Sequence, residues 1–186
     1  MNRPEQKYFG KYRGKVTSVD DPLKQGRIQA MVPAIFGKEQ SGWALPCFAM
    51  AGSKAGIFAI PPVGAGVWIE FESGDPEYPI WTGCFYGMEI DVPLEERMMP
   101  DKKLLLRTPG GTQLVLDDSP GNPTVLLKTS AGDKIEISAQ GIVIRAATGA
   151  KLTIGAAGIE INSGQGAAIK LSGPKVDINN GALEVL

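Results

Sequence analysis

From Val125 onward the chain repeats itself every seventeen residues: "VLLKTSAGDKIEISAQG", "IVIRAATGAKLTIGAAG", "IEINSGQGAAIKLSGPK", then a partial "VDINNGALEVL". Aliphatic residues fill the first and third positions of each row: Val125 and Leu127, Ile142 and Ile144, Ile159 and Ile161, Val176 and Ile178. A second aliphatic pair holds the eleventh and thirteenth: Ile135 and Ile137, Leu152 and Ile154, Ile169 and Leu171. Gly132, Gly149 and Gly166 share the eighth position. Period-two spacing inside a longer repeat predicts short strands, each turning two aliphatics to one side, that are stacked or wound.

Such strands make a poor core for a single chain. Burying one aliphatic side chain is worth roughly 1.5–3 kcal/mol, whereas ordering each residue costs on the order of 1–2 kcal/mol. Three chains together can close what one cannot. The sequence therefore predicts a homotrimer in which residues 104–186 form an intertwined triple-stranded β-helix, with the fourteen aliphatics above on its axis and sheet edges pairing between chains. The preceding "KLLLRT" and "TQLVLDD" carry Leu104, Leu106, Leu114 and Leu116 in the same style but outside the seventeen-residue register. All thirteen Phe, Trp and Tyr residues lie between Tyr8 and Tyr86, which fits a core too thin for rings. Roughly ten strands stacked at ~4.8 Å give a needle on the order of 40–50 Å long.

The first half reads differently. Short apolar segments, "YRGKVTSVD", "GRIQAMVP", "WALPCFAM", "GVWIEFE" and "PIWTGCFYG", are separated by Gly and Pro, and alternation is clearest at Ile28, Ala30, Val32 and at Val67, Ile69, Phe71. Five strands with no room for a second sheet favour a closed five-stranded OB-fold barrel over residues 12–87. The whole chain is thus expected to be all-β: an arm (1–11), the barrel (12–87), a neck (88–103) and the β-helix (104–186). Pro93, Pro100, Glu95 and Glu96 suit an extended neck, with a short helical turn over "LEERMM" as the alternative. In "ESGDPEYPIWTG", Gly74 supplies free φ, Asp75 turns its own backbone, and Pro76 and Pro79 stiffen the approach to the last strand.

The order of these features resembles the OB domain of central spike proteins in contractile tails: phage baseplate assembly protein V, the T-even central spike and the type VI secretion spike VgrG. The residues that carry the resemblance are Gly26, Arg27, Pro33, Trp43, Pro61, Pro62, Gly64, Gly74, Asp75, Pro76, Pro79 and Gly83. It implies a structural, non-enzymatic trimeric spike, made in the bacterial cytoplasm and assembled into the baseplate of a phage, tailocin or extracellular injection particle. Its implied partners are a separate hub protein at the OB collar and the target cell envelope. "NNGALEVL" is then either a bare apex or a platform for a tip-cap (PAAR-like) protein. T-even spikes carry a lysozyme domain between barrel and needle; here "MEIDVPLEERMMPDKK" is too short for one. The VgrG hub domain is not expected before the barrel, so a separate protein is expected to supply it.

Composition removes several function classes. The chain has no histidine, which excludes His-dependent triads and His metal sites. It also argues against the histidine-bound tip iron of some phage spikes, so no cofactor is expected. "PVGAGVWIE" lacks the third glycine and following helix of a dinucleotide fingerprint. The carboxylate pairs Glu70/Glu72, Glu95/Glu96 and Asp117/Asp118 read as solvated faces and turns rather than a glycosidase couple. Cys47 and Cys84, without CxxC spacing, are expected to be buried, reduced thiols. The alternative function is a single-stranded nucleic-acid-binding OB protein with a repetitive tail, but a net charge of −1 and acids at Glu70, Glu72, Asp75 and Glu77 oppose it, so no nucleic-acid partner is expected. A carbohydrate-binding fibre would need aromatics on the needle. The cationic start (Arg3, Lys7, Lys11, Arg13, Lys15) reads as a solvated end or docking arm.

Overall fold

A computed structural model of the chain describes residues 6–93 and 102–185. The chain divides into two units, Met1–Val92 and Pro93–Leu186, and each is described by itself. The proposed helical turn over "LEERMM" lies outside the described residues, as do Glu95, Glu96 and Pro100. Among the described residues, no helix is long and apolar enough to cross a membrane.

In the first unit, the alternating segments become β1 (Tyr12–Ser18), β2 (Gln29–Met31), β3 (Leu45–Pro46), a small hairpin of β4 (Ala51–Gly52) and β5 (Ala55–Gly56), β6 (Gly66–Phe71) and β7 (Pro79–Phe85). The five main strands lie in the order β2-β1-β6-β7-β3, and an Ile28–Ala44 bridge joins the two ends, closing the barrel. β3 runs parallel to β7 and the other pairs are antiparallel, the Greek-key connectivity of an OB-fold. Val67, Ile69 and Phe71 point inward from β6 to meet Val16, Ile28, Ala30, Val32, Ala44 and Trp81. Glu70 lies on the opposite face of β6 and binds Lys11 at 2.7 Å.

Three details depart from the sequence reading. Pro33 does not simply end the second strand; it opens a one-turn helix, α1 (Pro33–Phe36), because its fixed φ suits a first helical position. Cys47 and Cys84 are free but exposed. Cys47 follows the two-residue β3, and Cys84 lies beyond a β6–β7 bulge, so neither reaches the packed interior. The arm's described residues are not loose: Tyr8 N–H donates to the Gly74 carbonyl at 2.8 Å, and its ring tilts against Phe71 at 6.3 Å.

The second unit is one ten-stranded antiparallel meander with strands in chain order. They are β8 (Lys103–Arg107), β9 (Gln113–Asp117), β10 (Thr124–Lys128), β11 (Lys134–Ser138), β12 (Gly141–Arg145), β13 (Lys151–Gly155), β14 (Gly158–Asn162), β15 (Ala168–Ser172), β16 (Lys175–Ile178) and β17 (Leu183–Val185). The period now has a structural meaning: two five-residue strands, one five-residue turn and one two-residue turn make seventeen. The five-residue turns, 108–112, 129–133, 146–150 and 163–167, lie along one lateral edge, and the two-residue turns, 139–140, 156–157 and 173–174, along the other. At 118–123 the second edge carries six residues instead of two, and that insertion puts Leu114 and Leu116 out of register.

One expectation is corrected. Sheet edges were expected to pair between chains, but each strand from β9 to β16 is paired on both sides within its own chain. A meander of tight turns brings sequence neighbours together first, so that among the described residues only the outer edges of β8 and β17 have no strand partner.

Candidate functional site

Each strand from β8 to β16 points its second and fourth residues to one face, β17 its first and third, and cross-strand register lines them up in two columns. One column runs Leu106, Leu114, Leu127, Ile135, Ile144, Leu152, Ile161, Ile169, Ile178, Leu183. The other runs Leu104, Leu116, Val125, Ile137, Ile142, Ile154, Ile159, Leu171, Val176, Val185. All fourteen aliphatics named from the repeat fall in these columns. The structure adds six more: Leu104, Leu106, Leu114, Leu116, Leu183 and Val185. The period-two pairs of the first four were visible in sequence; Leu183 and Val185 follow the four-residue turn 179–182 and have no register signal.

Nothing among the described residues covers this face. Among the described residues, every buried core hydrophobic belongs to the barrel except Ala168. The exposed aliphatics between Leu104 and Leu171 on the columns keep 37–61% of their surface. A continuous apolar sheet face of this extent is a contact surface. Burying what remains is worth roughly 1 kcal/mol per side chain, so the face carries on the order of 20 kcal/mol per chain before the entropy of association is subtracted.

The turns hold the columns in register. In the five-residue turns Gly111, Gly132, Gly149 and Gly166 all have φ between +94° and +104°, which explains glycine at the eighth repeat position. Asp133 links neighbouring turns, its carboxylate accepting from Ala147 N–H at 2.9 Å and from the Thr129 hydroxyl at 3.1 Å. Those donors hold its pKa below the usual carboxylate range, the Ala147 N–H most strongly.

The barrel motif residues form a second constellation. Asp21 accepts from the backbone N–H groups of Leu23, Gln25 and Arg27 and from the Arg27 guanidinium at 2.6 Å, and its side chain is only 4% exposed. The guanidinium, foremost, pulls its pKa far down. Arg27 lies over the Trp43 ring at 5.6 Å. Gly26, at φ +81°, offers its carbonyl to Trp81 Nε1 at 3.1 Å, and a Cβ there would press on Ile60 and Phe48. The Gly-Arg pair thus pins the β1–β2 loop to the core. Gly74 (φ +76°) and Asp75, which accepts from Glu77 N–H, make the β6–β7 turn, and Pro79 is buried at its exit. Gly64, at φ +92°, turns the chain after buried Pro61 and exposed Pro62. Gly83 lies at the β6–β7 bulge, opposite Trp68.

Nothing catalytic is assembled from these groups. Glu70 binds Lys11, Glu72 begins a 3-10 turn, and Asp117 pairs with Lys103 at 3.4 Å. Among the described residues, no three of His, Cys, Asp and Glu gather as a metal site.

Comparison with known proteins adds the following. Residues 12–86 match the family described as the type VI secretion system/phage-baseplate injector OB domain. Residues 103–154 and 138–184 match the phage baseplate V C-terminal trimerisation domain. The chain is 33% identical over 113 residues to the type VI secretion system spike protein VgrG3 of Vibrio cholerae, covering 55% of this chain and 11% of that protein. It is 34% identical over 95 residues to the spike protein VgrG5 of Pseudomonas aeruginosa, covering 47% and 12%. It is also 35% identical over 99 residues to the actin cross-linking toxin VgrG1 of Vibrio cholerae, covering 49% and 9%. The chain spans about a tenth of the length of these relatives.

Proposed function

Because the chain belongs to the phage-baseplate injector OB family, with the baseplate V trimerisation domain following its barrel, we propose that it is the trimeric structural spike of a phage-like injection machine. The observation that carries this reading is the double aliphatic column, a core face with no core of its own. Three such faces turned to a common axis give each strand layer six aliphatic side chains, two from each chain. The fourteen repeat aliphatics and the six found with them are the residues assigned to that axis.

In finer terms, the barrel is the collar that sits on a hub protein, and the β-helix is the point that pierces the target envelope when the machine fires. The C-terminal end is the apex and, where a tip-cap protein exists, its platform. The mechanism is mechanical rather than chemical. Each chain's hydrogen-bonded ladder resists compression along the stack of strands, and the shared apolar interior holds the three ladders together. The host particle is a phage, tailocin or extracellular injection system.

Light scattering on the purified chain is expected to give three times the chain mass, and unboiled samples to run as trimers in SDS gels. A monomer at micromolar concentration would sink the spike reading.

A further inference from the structure

The outward face of the meander carries a charge pattern that the spike reading does not use. Beside the five-residue turns, Lys128, Lys134, Arg145 and Lys151 occupy register positions on four successive strands, each directly opposite the next. Only Lys134 is paired, to Glu136 of its own strand at 2.6 Å. Lys128, Arg145 and Lys151 are exposed and form no ion pair among the described residues. Like charges directly opposite on a sheet are destabilising, so this column gains stability from any anion that neutralises it. On the same face, the central column begins with three half-buried aliphatics in register: Leu105, Val115 and Leu126.

Toward β17 the face changes character. There Glu160, Lys170, Asp177 and Glu184 hold successive opposite positions, one cation among three acids. The column of cations set directly opposite one another thus runs over β10–β13, and it continues through Gln113 to Arg107 of β8.

Within the trimeric reading, a neighbouring copy offers this column few anions. Around a threefold axis the cation column meets the other lateral edge of the next chain, whose register positions include Asp117, Thr124, Ser138, Gly141 and Gly155. Asp117 is the one carboxylate among them and is held by Lys103, and Asp118 follows it at the start of the 118–123 turn. Single-stranded nucleic acid fits less well, because base stacking needs aromatic rings and none follows Tyr86. A cation row beside aliphatics instead matches an anionic lipid surface, where the stems lie along the acyl boundary and the charged heads reach phosphates.

We propose that the outer face of β8–β13 adheres to anionic phospholipid headgroups, whereas the more acidic face of β14–β17 does not. Within the spike reading, on which its setting rests, the needle enters a bilayer with its non-adherent end and is retained by its adherent one.

The test is co-sedimentation of the full-length trimer with vesicles of phosphatidylcholine alone and of equimolar phosphatidylcholine and phosphatidylglycerol. Binding is expected only to the anionic vesicles and to weaken with salt. The variant Lys128→Gln/Arg145→Gln/Lys151→Gln is expected to lose on the order of a hundredfold in affinity, and Arg145→Gln alone about fivefold. Light scattering checks each variant's assembly; if the triple variant does not assemble, the single one is read. Equal binding to both vesicle types, or undiminished binding by an assembled variant, overturns the proposal. So does binding to a single-stranded oligonucleotide without vesicle binding. These outcomes leave the spike reading standing, because that reading fails on a monomeric wild type.

Discussion

Gly158 and Gly166 are both repeat glycines with positive φ, yet the structure gives them different weight. A Cβ on Gly158 would strike the Leu171 carbonyl of the neighbouring strand, whereas one on Gly166 meets nothing within 4 Å. Gly166→Ala should therefore cost only the left-handed backbone penalty, roughly 1–2 kcal/mol. Gly158→Ala must also part β14 from β15, so its melting temperature should fall clearly further; equal losses would contradict the geometry. Asp21 makes a pH-dependent prediction. Its folded pKa lies well below the ordinary 3.8, so its contribution to stability is fully present above about pH 4 and is lost as the pH falls toward the lowered value. Asp133 acts in the same direction in the meander. Asp21→Asn, which strands the guanidinium of Arg27, should lower the barrel's melting temperature at neutral pH and flatten its acid dependence. Melting curves at several pH values check both points. The Gly-Arg pair was recognisable as a motif, but its reason was not: the partners Asp21, Trp43 and Trp81 converge on it only in the closed barrel.

At the scale of elements, the repeat was legible because each strand is short, each turn is nearly fixed in length, and the two aliphatics of a strand always face one way. Legibility failed where a turn changed length. The six-residue turn 118–123 shifts Leu114 and Leu116 by four positions, and the four-residue turn 179–182 hides Leu183 and Val185. Barrel strands were located through alternation, while α1 was missed because Pro33 serves equally as a strand end and a helix start. Strand pairing was the largest misreading: composition shows that a face needs partners but is silent on whether backbone or side chains supply them. The turn pattern makes a direct prediction. Deleting residues 142–158 removes one full repeat and should leave a shorter, still stable trimer. Deleting 142–157, one residue short of the repeat, lengthens the 139–140 turn by one residue; the trimer should still form, as the odd-length change at 179–182 is absorbed, but with a lower melting temperature. Light scattering and thermal melts distinguish the two.

For the whole molecule, separate cores imply separable failures. Ile144→Asp places three like charges at the axis and should abolish the trimer, while the barrel, whose core includes Trp81 and Phe71, stays folded. Intrinsic tryptophan fluorescence and light scattering on the same sample read the two properties apart, and loss of both would contradict independent cores. The two kinds of turn also bear on how copies meet. One lateral edge of each sheet is broad with five-residue turns, and the other is mostly narrow. Rotation about a threefold axis along the stack sets a broad edge beside a narrow one, whereas a twofold axis across the stack would set like beside like. Each five-residue turn would then have a shorter turn of the next copy to lie against, so the margins of a single chain already complement one another.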